Sequence, residues 1–297
     1  EDLLQTDPNT CHVKSALSGL EFLVVQELFM TDTAGIADVV FPASSFLEKE
    51  GTFTNGERRI QRVQKAVEPL SGTRADGQII VDMMNAMGYP QQGYSADLTL
   101  KEISGIVPFF RGVRWDELGK NGKQWPVKED GTDTKILHSS TFKRGKGKFH
   151  SWDFEETPEL VANSEKYPYI LTTGRLLEHY NSGTMTRRTP NSRLVSEDIL
   201  FVHPVDAEAR GIKTGDFVTI DSERGHANVK AEITDVVKPG VIYTTFHFPE
   251  ASINYLTSSI GDEFTLTPEY KVVAVDIKKS LFAGFRKAEC DPLDKNE

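Results

Sequence analysis

Tyr167-Pro168-Tyr169-Ile170-Leu171-Thr172-Thr173-Gly174-Arg175 is where the chain changes character. Tyr169 to Thr173 reads as a strand, and further short strands follow at close intervals: Ile199 to Val202, Phe217 to Ile220, Ala227 to Ile233, Val241 to Phe246 and Val272 to Ile277. Gly and Pro turns separate them. The one helix among them, Pro204 to Arg210, has Pro at its first turn and Gly211 after its last. Many short strands with few helices predict a small closed β-barrel over 165–297, ending in a polar tail.

Upstream of that boundary, over 1–164, the pattern is α/β. Val13 to Leu20 is helical. Glu21 to Gln26 is a short Val- and Phe-rich run suited to a buried parallel strand, and Asp38 to Pro42 is a second one stopped by Pro42. Thr31-Asp32-Thr33 between them supplies helix-starting side chains, giving a compact strand–helix–strand crossover. Ligands of open α/β sheets sit beyond the carboxyl ends of strands, which places Gln26 and Glu27 where a nucleotide could dock. The plainer alternative is that both residues simply cap and turn. Ser44 to Glu50 is expected to be a helical turn ended by Gly51, Asn55-Gly56 a hairpin turn, and Ile60 to Val67 a strand. Asp76 to Met87 carries Ile79, Ile80, Met83, Met84 and Met87 at helical spacing and ends at Gly88-Tyr89-Pro90. From Gln91 to Lys166 the pattern weakens into a long irregular connection, with Lys143 to Lys148 as a solvated basic loop.

Composition narrows the function classes. The 297 residues suffice for roughly two domains. With 34 basic against 44 acidic side chains, a net −10, the chain is unsuited to wrapping nucleic acid. The lack of a long apolar run and of a basic-then-apolar leader predicts a cytoplasmic chain with no membrane segment. Its two cysteines, Cys11 and Cys290, form no CxxC, so a zinc site or iron–sulfur cluster built by this chain alone is not expected. The polar turn Gln5 to Thr10, with no initiator Met before it, reads as a chain entered partway through.

The segment richest in chemistry runs from Thr173 to Arg188. It follows a strand directly, offers Arg, His, Asn, Ser and Thr donors, and places Gly174 and Gly183 where backbone could approach a ligand. That set suits a polar, phosphate-bearing ligand. An Arg- and Gly-rich loop is also a common surface turn.

This loop, together with Phe246-His247-Phe248-Pro249-Glu250-Ala251, Asn254-Tyr255-Leu256-Thr257 and Pro268-Glu269-Tyr270-Lys271, resembles the C-terminal domain of molybdopterin oxidoreductases of the dimethylsulfoxide reductase family. Asp7-Pro8-Asn9-Thr10, Leu23-Val24-Val25-Gln26, Ala37-Asp38-Val39-Val40, Glu48 to Asn55 and Glu57-Arg58-Arg59 resemble the catalytic (alpha) subunits of formate dehydrogenases in particular. The resemblance implies a partial, Rossmann-like parallel-sheet segment followed by a mainly-β double-psi-like barrel. It also implies a bis(molybdopterin guanine dinucleotide) cofactor holding molybdenum or tungsten. Carried over position by position, Gln26, Glu27, Lys49 and Asp76 would contact one guanine dinucleotide. Thr173, Gly174, Arg175, Leu176, Leu177, Glu178, His179, Tyr180, Asn181 and Ser182 would cradle pterin and phosphate, with Phe246, Asn254 and Lys271 completing the pterin side. The chemistry is apt: carboxylates accept from guanine N–H groups, cations neutralise phosphate, and Asn254 both donates and accepts. Each also has an ordinary structural reading: Lys49 as a solvated charge, Asp76 as a helix N-terminal residue, Lys271 as a partner of Glu269 or Asp276. Family members often carry Asp where Glu27 stands.

The resemblance further implies that the metal-ligating Cys or selenocysteine, its neighbouring His, the formate-holding Arg and an iron–sulfur cluster belong to a preceding part of the subunit. Cys11 beside His12 imitates a Cys-His pair but occupies a variable position of its block, so no catalytic or metal-ligating residue is assigned here. The implied partners are that remainder, electron-transfer subunits and formate itself. The alternatives are the equivalent part of another family member such as a nitrate reductase, and a non-catalytic barrel for protein binding or assembly.

Overall fold

The computed structural model describes residues 2–282, Gly284 and 289–290; the polar tail at 291–297 and the Cys290 side chain lie outside the described residues. In chain order come α1 (Leu3–Thr6), α2 (Thr10–Ser18), β1 (Val24–Glu27), α3 (Asp32–Gly35), β2 (Val39–Pro42), β3 (Gly51–Thr54) and β4 (Arg59–Val63). Next are α4 (Asp76–Ala86), α5 (Ala96–Ile106), β5 (Lys123–Gln124), α6 (Pro158–Asn163), β6 (Tyr169–Gly174) and β7 (Ile199–Val202). Then follow α7 (Pro204–Arg210), β8 (Phe217–Asp221), β9 (Gly225–Ile233), β10 (Val241–Thr245), β11 (Val273–Lys279) and β12 (Glu289–Cys290). Two units result: Glu1–Leu23, Phe29–Asp38 and Asp153–Glu297 form a barrel unit, while Val24–Leu28 and Val39–Trp152 form an α/β unit.

In the barrel unit, the strand order β9-β7-β10-β6-β11-β8 returns to β9 through the β8–β9 pairing, so the sheet closes on six strands. β6 pairs parallel with β10 and β7 parallel with β9; the other pairings are antiparallel. Closure leaves no free edge on these strands. Burial alternates along the strands: Leu200 and Val202 on β7, Val218 and Ile220 on β8, and Leu171 on β6 are wholly buried while their neighbours are half-buried. Burying each such side chain is worth about 1.5–3 kcal/mol. A buried ion pair fastens α6 to the wall. Both Glu159 carboxylate oxygens accept from Arg224, at 2.6 and 3.1 Å, and Oε1 also accepts from the Ala274 N–H. The N-terminal turns are tied down by Asp2, whose carboxylate accepts from the Asp32 and Thr33 N–H groups that open α3.

The α/β unit holds the parallel pair β1–β2, in register Val24↔Val39, and the antiparallel three-stranded sheet β3-β4-β5. Ile60, Leu100, Val113, Leu118 and Val127 make its core, with Phe110, Trp115 and Trp125 packed on them. Two expectations fail here. Ser44 to Glu50 is a turn, because Glu48 accepts from the Ser45 and Leu70 N–H groups and Lys49 Nζ donates to the Ser44 carbonyl, drawing the backbone away from helix. The stretch after Gln91 contains α5, capped by Ser95 and anchored through buried Leu100 and Ser104. Ala96, Leu100 and Ile103 stand at helical spacing along it, so its apolar stripe is present in the sequence. Among the described residues, no helix is long and apolar enough to cross a membrane.

Candidate functional site

At the carboxyl end of β6 the barrel unit opens into a cavity of about 370 Å³ lined by Thr6, Asp7, Thr173, Arg175, Asn181, Phe246, Asn254, Pro268, Tyr270 and Lys271. Six of the sequence-predicted residues, Thr173, Arg175, Asn181, Phe246, Asn254 and Lys271, therefore face one space. The Arg175 guanidinium lies 5.0 Å over the Phe246 ring, and its Nε donates to Asn181 Oδ1 at 3.0 Å. Lys271 Nζ donates to the Thr173 carbonyl at 2.6 Å, and the Thr173 hydroxyl donates to the Tyr270 carbonyl. Asn254 donates through Nδ2 to the Gln5 and Thr6 carbonyls, yet its buried Oδ1 has no hydrogen-bond donor among the described residues. A buried acceptor left unpaired costs about 1–3 kcal/mol, so Asn254 is primed to receive a donor from a ligand. Burial raises the Asp7 carboxyl above its ordinary range, and it raises the Tyr270 hydroxyl, helped by Asp7. With two cations, one reluctant carboxylate and an aromatic floor, the cavity suits a flat, hydrogen-bonding, anionic group.

The rest of the loop builds the wall. His179 is buried, its ring bonded to Thr186 Oγ1 at 3.0 Å and to the Val195 carbonyl at 2.8 Å. Ser182 bonds Thr184, its carbonyl accepts from Gln5, and the Glu178 carbonyl accepts from Asn191. Leu176, Leu177, Glu178, Tyr180 and Ser182 do not line the cavity, and the Leu177 and Tyr180 side chains are exposed. The glycines are required by the protein itself: a Cβ at Gly174 would strike the Tyr243 ring, and Gly183, at φ 69°, would bring one to 2.7 Å from the His247 carbonyl. Sequence reasoning missed His247, Asp198 and Tyr270. His247 stood beside a chosen residue, Phe246. Asp198 sits in an acidic run that reads as solvated, yet it is wholly buried and accepts from the Thr245 hydroxyl and the Phe248 N–H. Desolvation pushes its carboxyl up to about 8 despite these donors.

A second cluster lies in the α/β unit. Asp76, at the start of α4, accepts from Gln26 at 2.5 Å and pairs with Lys49. Burial raises the Asp76 carboxyl, but the bonds from Lys49 and Gln26 outweigh it and hold it below its ordinary value. Lys49 and Asp76 line a cavity of about 250 Å³ whose apolar walls include Phe46, Phe53 and Tyr94. Asp76 thus brings a carboxylate held by Lys49 and Gln26 to a cavity with aromatic walls, which fits a flat heterocycle bearing N–H donors. The Glu27 carboxylate accepts from the Leu28 N–H at 2.7 Å, and Glu27 lies outside that cavity's lining.

Comparison with known proteins reaches residues of both clusters. The family described as Molybdopterin oxidoreductase matches residues 1–86, and that described as Molydopterin dinucleotide binding domain matches residues 169–274. The F420-dependent formate dehydrogenase subunit alpha of Methanocaldococcus jannaschii is 41% identical over 285 residues, covering 94% of this chain and 42% of that protein. The F420-dependent formate dehydrogenase 2 subunit alpha of Methanococcus maripaludis matches to the same extent, 41% over 285 residues with 94% and 42% coverage. A putative formate dehydrogenase of Staphylococcus aureus is 39% identical over 281 residues, 91% of this chain and 28% of that protein. The chain thus spans well under half the length of these curated relatives. Among solved structures, acetylene hydratase from Pelobacter acetylenicus superposes with a TM-score of 0.67 at 17% identity, over 92% of this chain and 42% of that one, a likeness of fold.

Proposed function

We propose, from the premise that this chain belongs to the molybdopterin oxidoreductase family, that it is the C-terminal, cofactor-holding part of a formate dehydrogenase catalytic subunit. The observation that carries the reading is the barrel cavity, where the unpaired Asn254 Oδ1 lies in a lining that also holds Arg175 and Lys271. In this reading Arg175, Asn181, Asn254 and Lys271 hold the pterin and its phosphate, while Gln26, Lys49 and Asp76 hold guanine, with Glu27 nearby in sequence. When bound, a bis(molybdopterin guanine dinucleotide) carrying molybdenum or tungsten supplies the two-electron redox chemistry that takes formate to carbon dioxide. This chain's residues bind the cofactor, orient it and neutralise its phosphates. Arg175 and Lys271 balance negative charge; Phe246 gives a flat face; Asn254 takes the donor its orphaned oxygen requires.

The metal ligand, the iron–sulfur cluster, the electron-transfer subunits and a cytoplasmic setting belong to the same proposal. So do its finer folds: a Rossmann-like segment, supported by the parallel β1–β2 crossover, and a double-psi barrel, supported by six strands with two parallel pairings.

The test is to purify the complete subunit, denature it and quantify the pterin and guanine nucleotide released. The wild type is expected to release both, and the Arg175→Ala/Lys271→Ala double variant at least about tenfold less. The isolated chain is expected to oxidise no formate. A wild-type subunit free of pterin, or metal-dependent turnover by this chain alone, overturns the reading.

A further inference from the structure

The cavity's shape depends on a side chain that does not line it. His247 is completely buried behind the loop that follows β6. Its Nε2 accepts from the Leu176 N–H at 2.9 Å, and its Nδ1 lies 2.6 Å from the Asn181 carbonyl. An amide N–H can only donate and a carbonyl can only accept, so the ring is the neutral tautomer with its proton on Nδ1. One imidazole thereby spans the loop, from the residue after Arg175 to Asn181. Those two ends carry the Arg175 and Asn181 side chains that face the cavity and bond each other. Asn181 sits at φ 49°, a left-handed conformation that Asn tolerates better than other non-glycine residues.

The ring is itself well anchored. The backbone N–H groups of His247 and Phe248 both donate to buried Asp198, and the Thr245 hydroxyl donates to the same carboxylate. Gly183 closes against the His247 carbonyl, where no side chain fits. A continuous line of hydrogen bonds therefore runs from Asp198 through the end of β10 to the His247 ring and on to both ends of the loop.

We infer that His247 is a positioning residue for the cavity: as a neutral Nδ1–H imidazole it bridges Leu176 and Asn181 and holds Arg175 and Asn181 in register for the anionic ligand. The inference rests on the cofactor reading for the identity of that ligand, but not for the bridge. Adding a second proton to the ring would set an N–H against the Leu176 N–H and release that end of the loop. The groups facing the ring are His179, 5.6 Å away between centroids, and Arg175 on the loop, with Asp198 and Arg187 behind the segment that carries it. Burial, His179 and Arg175 all oppose that proton, against the Asn181 carbonyl that favours it.

The experiment is hydrogen–deuterium exchange on the complete subunit, read at 174–183, with β7 and β10 as internal controls and released pterin and nucleotide measured alongside. His247→Leu is expected to speed exchange at 174–183 by about tenfold, the worth of one lost hydrogen bond, while the control strands are unmoved. It is also expected to lower cofactor content. His247→Gln, which restores an acceptor for Leu176, is expected to recover part of both; a merely space-filling role would not distinguish Gln from Leu. Should His247→Leu fail to fold, the wild type carries the test: nitrogen NMR at pH 8 must show the His247 ring as the neutral Nδ1–H tautomer with Nε2 accepting a hydrogen bond. Unchanged exchange and full cofactor content in His247→Leu, or a wild-type ring protonated on Nε2, overturns the inference. A wild-type subunit that releases no pterin overturns the cofactor reading alone, since the exchange data still decide the bridge.

Discussion

The two units solve the same problem in opposite ways. The barrel closes six strands on themselves and packs their alternating side chains into one continuous interior. The α/β unit has a two-stranded parallel pair whose residues are half-buried or exposed, and a core of five buried residues with three aromatics around them. Its α4 leaves Ile80, Met83 and Met87 exposed. Parallel sheets are normally covered on both faces, so a pair this small contributes little cohesion of its own. The comparison teaches that the two candidate clusters differ in kind: a cavity in a closed, well-packed wall, and a polar cluster on a lightly packed support.

Ion pairs give the sharpest test of that contrast. Glu159→Ala in the barrel unit leaves buried Arg224 with the weaker Glu223 contact at 3.8 Å in place of its paired carboxylate, and is expected to cost about 3–5 kcal/mol in urea denaturation. Lys49→Ala in the α/β unit breaks a pair that is a quarter to two-fifths exposed, and solvent screening limits its loss to about 1 kcal/mol or less. Equal losses would break the comparison. Side-chain truncation should follow suit: Leu171→Ala is expected to cost about 2–5 kcal/mol, whereas Ile80→Ala, half-exposed on α4, should stay within about 1 kcal/mol. Native-state exchange should rank the amides likewise, slow in β6, β8 and β10 and faster in β1 and β2; the reverse ranking would refute the argument.

The last test concerns pH. Asp198 is held at about 8 by burial, far above an unfolded carboxyl, so the native state binds the extra proton. Its stabilising contribution is complete below the unfolded value and is lost as pH rises through about 8. His247 works from the other side. Its value is lowered by burial, so its contribution is present above the unfolded value near 6.5 and is lost as pH falls through the folded one. Melting temperature against pH should decline on the alkaline side in the wild type, and Asp198→Asn should flatten that limb; an unaltered limb would remove Asp198 as its cause.

The barrel was legible because its strands are short, apolar and separated at close intervals by Gly and Pro turns, as Ile199 to Val202 and Phe217 to Ile220 are, while their inner and outer faces emerge only in the folded chain. Helix α5 carries a readable stripe at Ala96, Leu100 and Ile103 but lies within a stretch punctuated by Gly and Pro, and the turn at Ser44 to Glu50 depends on a side-chain bond to Leu70, distant in sequence. The loop after β6 announced itself through its donors, and two of them, Arg175 and Asn181, line the cavity. What it could not announce was the support beneath them. A buried His and a buried Asp look like any polar residues until the chain folds back and shows what they hold.

Closure of the barrel also sets an order of assembly. β8 and β9 meet across a short turn, a pairing that forms early because little chain entropy is lost. β6 meets β11 only after about a hundred intervening residues have found their place, which makes that seam a late event. Thr173 and Lys271, joined at 2.6 Å, stand at its edge. The cavity therefore comes into being with the last seam, and a ligand seated there would act as a latch on a finished barrel rather than as a template for an unfinished one.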